Sequence, residues 1–157
     1  MIRLITVILV SLFLFANFAH AEESYNIISC WSGDVTMLSA SKELVIFSYD
    51  LKGVSRSNDE SKAFDNWSLQ IVGTVKIESG KYSSQYYGKY LSPDGDIVIG
   101  EGYRNGDEGA WKFINGTGKW KGITGGGTNK IVSNIKLVKK GTTQGCSIAT
   151  GTFQLPK

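Results

Sequence analysis

One acidic side chain stands out as a group that could do chemistry. Glu101 lies in the middle of a predicted strand, between Gly100 and Gly102. Strand alternation places it on the same face as Tyr103. If that face lines an apolar interior, the carboxylate is desolvated and can act as an acid, a base or a polar anchor for a ligand. If it is the outer face, Glu101 is solvated and pairs with a lysine.

Aromatic side chains could complete a ligand-binding surface around this acid. Tyrosine and tryptophan combine a large apolar ring with a polar group, which suits a small and mostly apolar ligand. The candidate ligand-binding residues are Glu101, Tyr103, Trp111, Tyr49 and Tyr86, and Tyr82 and Tyr90 extend the same set. Packing of a barrel core is the alternative explanation for these aromatic residues.

The rest of the sequence lacks the usual residues of catalytic and metal sites. The only histidine is His20, which falls within a predicted export signal. A mature chain without histidine has no Ser-His-Asp or Cys-His arrangement and no His/Cys cluster for zinc or copper. Gly125–Gly127 lacks the ending of a phosphate loop, and Asp94–Asp96 does not continue into a calcium loop. We expect no metal and no cofactor, name no catalytic residue, and leave enzymatic activity undecided.

The N-terminal segment is typical of an export signal. Arg3 precedes an apolar run from Leu4 to Phe18, and Ala19-His20-Ala21 forms a small-x-small cleavage site. The run has about 15 residues, fewer than the roughly 20 that a membrane-spanning helix needs. We predict a signal peptide at residues 1–21 and a single β-barrel domain at 22–157. The mature protein is then periplasmic or secreted, without stable membrane insertion.

The charge distribution gives no reason to expect a nucleic-acid partner. Loss of Arg3 lowers the formal net charge of +3 by one unit, and the remaining cations form no large patch. The expected partner is a small apolar molecule. The sequence specifies neither the oligomeric state nor the host, so it leaves open whether the glycosylation sequons at Asn66 and Asn115 are used.

The two cysteines lie near opposite ends of the mature chain. In an oxidising compartment, Cys30 and Cys146 are expected to form a disulfide, and two free thiols are the alternative. A disulfide that closes a loop of more than a hundred residues adds ~4–5 kcal/mol to the free energy of unfolding in the chain-entropy model. Such a bond is compatible with a closed barrel whose first and last strands are neighbours.

The hydrophobic pattern predicts an all-β fold. Apolar and polar residues alternate from Trp67 to Glu78 and from Val45 to Lys52. Further strands are predicted at Trp31–Met37, Tyr82–Leu91, Ile97–Arg104, Gly109–Asn115, Lys130–Lys139 and Cys146–Leu155. The polar segment Ser55–Asp65 is expected to form a loop or a short helical turn. The 19 glycines favour the bends that close a small sheet, so we expect an antiparallel barrel of about eight strands.

One segment resembles a known family. The sequence Phe113-Ile114-Asn115-Gly116-Thr117-Gly118-Lys119-Trp120-Lys121-Gly122 reads as a strand followed by a Gly-x-Gly–aromatic–x-Gly corner. It resembles an element of the allene oxide cyclase-like barrels, and plant dirigent proteins carry a similar one. The resemblance covers roughly the C-terminal two thirds of the chain. It implies a closed, calycin-like barrel of eight antiparallel strands with an apolar cavity.

Members of these families cyclise or couple small apolar molecules, mainly by holding one conformer. Their acidic and asparagine residues near the first strand have no match in residues 25–30, so the resemblance assigns no catalytic residue. Two classes of function remain. One is a barrel that binds a small apolar ligand, with guidance of a cyclisation as its catalytic form. The other is a structural or interaction module with a filled core. The volume of the cavity distinguishes them.

Overall fold

Eight strands make up most of the described chain. The structure is a computed structural model that describes residues 22–133 and 136–156. The strands are β1 (Glu23–Ala40), β2 (Leu44–Ser57), β3 (Trp67–Glu78), β4 (Lys81–Leu91), β5 (Ile97–Asn105), β6 (Glu108–Gly116), β7 (Thr124–Ile131) and β8 (Thr142–Gln154). Each pairs antiparallel with the next, and β8 pairs with β1, so the sheet closes. The predicted closed antiparallel barrel is confirmed, whereas the signal predicted at residues 1–21 lies outside the described residues.

The disulfide joins the two strands that close the barrel. Cys30 of β1 and Cys146 of β8 lie directly opposite each other in the ladder, with an S–S distance of 2.09 Å. The predicted pairing is therefore confirmed. Alternation along β1 turns Cys30 to the outside of the barrel, while its neighbours Ser29 and Trp31 face the interior.

The glycine-rich corner between β6 and β7 also forms as predicted. Within the described ranges the only helical element is a 3₁₀ turn at Gly118–Trp120, and no helix there is long and apolar enough to cross a membrane. Gly118 and Gly122 adopt φ values of +53° and +77°, a region that favours glycine. These two turns direct the side chain of Trp120 back beneath the barrel, where it is buried.

The seventh strand lies earlier in the chain than the pattern predicted. It was expected at Lys130–Lys139, but β7 ends at Ile131 and begins at Thr124. The run Gly125–Gly127 therefore lies within a strand, between β6 and β8. A Cβ atom at Gly127 would clash with the Thr150 carbonyl oxygen, so glycine permits close strand approach here. A pattern that relies on apolar side chains does not detect a strand without them.

The connections between strands divide the barrel into two ends. The lower end carries the long connections 58–66, 92–96 and 117–123, whereas the upper end carries the short turns 41–43, 79–80 and 106–107 and the longer connection 132–141. The interior of the lower half is filled by a lower aromatic cluster. Its members are Tyr25, Phe64, Trp67, Phe113, Trp120 and Phe153.

Phe64 lies at the centre of the lower aromatic cluster. Its ring centroid is 5.1–5.6 Å from those of the other five members. The residue comes from the connection between β2 and β3 and adopts φ of +57°, which is uncommon for a bulky side chain. The buried hydroxyl of Ser55 donates a 2.7 Å hydrogen bond to the Phe64 carbonyl oxygen and helps to hold this conformation. The lower connections thus insert side chains that close one end of the barrel.

Candidate functional site

The upper half of the barrel contains a cavity of about 260 Å³. All eight strands contribute lining residues, among them the aromatic side chains of Trp31, Phe47, Tyr49, Tyr86 and Trp111. A depression in the upper rim shares Tyr82, Arg104 and Ile131 with this cavity. The cavity is therefore closed below by the lower aromatic cluster and opens towards the upper end.

Trp111 forms the boundary between the filled half and the cavity. Its ring centroid lies 4.6 Å from that of Phe113 and 6.0 Å from that of Tyr25, both in the lower aromatic cluster. On the other side it packs against Tyr90, at 5.6 Å, and lines the cavity. Aromatic rings favour edge-to-face contact at these centroid distances, and such pairs add to the stability gained from burial. The floor of the cavity is therefore firmly packed.

Glycines on neighbouring strands make room for the large side chains of the cavity wall. A Cβ atom at Gly100 of β5 would lie 2.6 Å from the Trp111 ring, and one at Gly102 would clash with Tyr86. At Gly73 of β3, a Cβ would lie 2.6 Å from the Tyr49 hydroxyl. Each ring thus lies across a glycine of the adjacent strand. The glycines mark the inward face of their strands.

Burial keeps the tyrosine hydroxyls of the interior neutral. It raises the pKa values of Tyr49, Tyr86 and Tyr90 above their ordinary value, because a phenolate would lose its hydration there. The positive charge of Arg104 opposes this rise for Tyr49 and Tyr86. The wall therefore presents neutral phenol groups that can donate or accept hydrogen bonds at physiological pH.

A polar network crosses one side of the cavity. Arg104 of β5 is only 7% exposed, and its guanidinium donates hydrogen bonds to the Asp107 carbonyl oxygen, at 2.7 Å, and to Asn129 Oδ1. Asn129 Nδ2 in turn donates to the Tyr86 hydroxyl at 2.7 Å. Arg104, Asn129 and Tyr86 all line the cavity. The network presents a fixed positive charge beside an otherwise mostly apolar wall.

Two residues of the cavity wall each carry a buried polar atom without a protein partner. Ser29 Oγ and Trp111 Nε1 are buried and make no hydrogen bond within the described part of the chain. Both residues line the cavity. Buried polar atoms without a partner destabilise a protein, so a ligand atom that hydrogen-bonded to either group would be favoured.

The structure divides the predicted site residues between two faces of the barrel. Tyr49, Tyr86 and Trp111 line the cavity, as expected of ligand-binding candidates. Glu101 and Tyr103 do not, and the prediction that they face it is wrong. Glu101 Oε1 forms an ion pair with Lys112 Nζ, at 2.9 Å, on the outside of the barrel, and Tyr103 is 56% exposed.

The reason for this correction lies in the glycines of β5. Strand alternation places Val98, Gly100, Gly102 and Arg104 on one face, opposite to Glu101. The glycine face must turn inward, because only there can the Trp111 and Tyr86 rings lie across the strand. Glu101 is therefore held outside, in the lysine pair given above as the alternative.

Sequence reasoning missed Arg104 and Asn129 as candidate site residues. The available signal was the position of Arg104, two residues after Gly102 on the glycine face of β5. Asn129 lies two residues after the glycine run on β7, a strand that the pattern predicted too late in the sequence. Among residues 22–133 and 136–156, no three His, Cys, Asp or Glu side chains group into a possible metal site.

Comparison with known proteins identifies the fold. No family model and no curated protein matches the chain. A pterocarpan synthase dirigent protein superposes with a TM-score of 0.54 at 9% sequence identity, covering 88% of this chain and 94% of that one. A conserved protein of unknown function from Rhodopseudomonas palustris gives a TM-score of 0.50 at 11% identity, covering 88% and 99%. This chain therefore has the dirigent-like, allene oxide cyclase-like barrel fold that the Phe113–Gly122 segment implied.

Proposed function

We propose that this protein is an exported binding protein that holds one small, largely apolar molecule in its barrel. The observation that supports this function is the cavity itself, which is open above, closed below and lined mainly by aromatic and aliphatic side chains. Pockets of this character are typical of small-molecule sites, and an eight-stranded barrel is just wide enough to hold one small ligand.

The volume limits the size of the ligand. An apolar cavity of about 150 Å³ accommodates benzene, so 260 Å³ corresponds to a molecule of about ten non-hydrogen atoms. Neutral tyrosine hydroxyls, together with Ser29 Oγ and Trp111 Nε1, provide hydrogen bonds for a few polar atoms on that molecule. The ligand class is then a compact apolar body with a small number of polar groups.

The cavity also argues against a purely structural role. A module with a filled core would need the upper half packed as tightly as the lower aromatic cluster, which it is not. Guidance of a cyclisation is a second candidate function, favoured by the fold shared with a pterocarpan synthase dirigent protein. In that case the rigid aromatic wall would hold one conformer of a reactive substrate, and the cavity would release an isomer with the same mass.

Export is supported by two independent features. Residues 1–21 have the pattern of a cleavable signal, and the Cys30–Cys146 disulfide is typical of an oxidising compartment. The intact mass of the protein isolated from its own host tests this part of the proposal. We expect a chain that starts at Glu22 and gains two mass units when its disulfide is reduced. An uncleaved chain with free thiols contradicts export.

The binding function is tested by native mass spectrometry of the same material. We expect a retained small molecule that is released by denaturation. The variant Ser84→Phe introduces a ring into the cavity wall, whereas Gln85→Phe introduces the same ring on the exposed face of the same strand. Loss of the retained molecule in the first variant alone supports the proposal. Equal retention in both variants overturns it, provided that circular dichroism shows both barrels folded.

A further inference from the structure

Arg104 is a buried cation for which the described residues supply no anion. Its side chain lines the cavity and is almost inaccessible to solvent. The ion pairs found between described residues, within 4.0 Å, involve other groups and leave Arg104 out. Its two hydrogen-bond acceptors, the Asp107 carbonyl oxygen and Asn129 Oδ1, are both neutral.

A buried guanidinium in this position carries an unfavourable desolvation cost. Proteins usually offset that cost with a carboxylate or another anion, because two neutral acceptors do not balance a full charge. The guanidinium also has five N–H donors in a fixed fork, more than the two contacts that it makes here. Arg104 thus retains both charge and hydrogen-bonding capacity on the cavity side.

The neighbours of Arg104 keep this capacity in place. Asn129 holds the guanidinium from β7 while it also donates to Tyr86, so its amide orientation is set from both sides. The Asp107 carbonyl belongs to the turn that joins β5 to β6 at the upper end. Together these contacts fix the fork at the wall before any ligand arrives, which reduces the entropy cost of binding.

We infer that the ligand of this cavity carries an anionic oxygen group, a carboxylate, which Arg104 binds while the aromatic wall holds the apolar body. This inference rests on the proposed binding function and gives its ligand a chemical class: a compact amphipathic monocarboxylate. Arginine is well suited to this task because its planar fork matches the two oxygens of a carboxylate. Ser29 and Trp111, whose buried Oγ and Nε1 atoms have no hydrogen-bond partner among the described residues, also line the cavity.

The experiment compares two probes of the same size and shape, octanoate and octanamide, by isothermal titration calorimetry at pH 7. Each has about ten non-hydrogen atoms, which matches the cavity. We expect the wild-type protein to bind octanoate about ten-fold or more tightly than octanamide, since hydrogen bonds to a charged partner are the stronger ones. Arg104→Met should remove this preference and leave octanamide binding unchanged.

A second variant keeps the test decisive if Arg104→Met does not fold. Asn129→Asp places a carboxylate of the same shape against the guanidinium, so it should neutralise the site from within and abolish the preference for octanoate. Thr128→Asp is the matched control, because it adds the same charge on the exposed face of the same strand. The control should bind both probes like the wild type.

The possible results separate this inference from the proposed function. If the wild type binds both probes equally, ligand binding stands and the carboxylate inference is overturned. If it binds neither probe, the proposed function itself fails for ligands of this size. If the preference for octanoate survives Asn129→Asp, the anion is bound elsewhere and Arg104 only supports the β5–β6 turn.

Discussion

The two halves of the barrel interior are built from the same strands and yet differ in content. The lower half is filled by six aromatic side chains in mutual contact, whereas the upper half encloses about 260 Å³ of free space. Both halves have inward-facing aromatic residues, so composition alone does not explain the difference. The lower half receives Phe64 and Trp120 from its connections, in addition to what the strands supply.

The aromatic residues carried by the connections account for this contrast. The lower connections at 58–66 and 117–123 fold back and place the rings of Phe64 and Trp120 in the core. The upper turns at 79–80 and 106–107 have only two residues each, which suffice to reverse the chain but cannot reach inside. The longer upper connection at 132–141 contains no aromatic residue that could fill the barrel. The barrel is thus plugged at the end whose connections supply aromatic rings, and the cavity lies at the other end.

The largest expected effect contrasts two phenylalanines, one in each half. Phe153→Ala removes a ring that is 2% exposed within the lower aromatic cluster and should cost about 3–5 kcal/mol of the free energy of unfolding. Phe47→Ala removes a half-buried ring from the cavity wall and should cost less than half as much, since few packed neighbours are lost. Urea unfolding of both variants measures this difference, and equal costs would show that the upper half is packed as tightly as the lower.

The disulfide tests whether the cavity half depends on the seam between β1 and β8. Replacing Cys30 and Cys146 by alanine should cost about 2–5 kcal/mol and leave the far-UV circular dichroism unchanged. Because Ser147 beside the bond lines the cavity and Phe153 lies in the filled half, amide exchange should increase more at Ser147. Exchange that increased equally along β8 would contradict a separate response of the two halves.

Alkaline pH should destabilise both halves through their tyrosines. Burial raises the pKa of Tyr25 in the lower half and of Tyr49 in the cavity wall above the ordinary value of about 10. The folded state therefore retains protons that the unfolded state releases. The contribution of these tyrosines to the free energy of unfolding is fully present below pH 10 and is lost as the pH rises above it. Each tyrosine contributes up to about 1.4 kcal/mol per pH unit to this decline.

Tyr25→Phe and Tyr49→Phe should each reduce the slope of stability against pH above pH 10. Thermal or urea unfolding between pH 9 and pH 11, with wild-type protein as the reference, measures the two slopes. A reduction in only one variant would show that only that half excludes water from its phenol. Unchanged slopes in both would contradict the burial of these hydroxyls.

The smallest effect is expected on the outer face. Glu101→Gln breaks the exposed ion pair with Lys112, and pairs of this kind contribute little to stability. Neither the unfolding midpoint nor the binding of octanoate should change measurably. A loss of octanoate binding would show that Glu101 contributes to the ligand site, which would contradict its position on the outside of the barrel.

Much of the architecture could be predicted from local features of the sequence. Alternation identified β3 and the inward-facing side of β2, because apolar and polar residues separate cleanly there. The glycine-rich corner around Trp120 was recognisable because Gly118 and Gly122 must adopt conformations that other residues avoid. The pairing of Cys30 with Cys146 followed from their number and the predicted compartment.

The side of β5 that faces inward was decided only by the tertiary structure. Alternation defines two faces of a strand, but in β5 both carry apolar residues, Ile97 and Ile99 on one and Val98 on the other. Trp111 and Tyr86 on the neighbouring strands determine which face of β5 turns inward, because their rings occupy the space above Gly100 and Gly102. Because that requirement arises between strands, no single segment of the sequence expresses it, and with it Arg104 rather than Glu101 came to line the cavity.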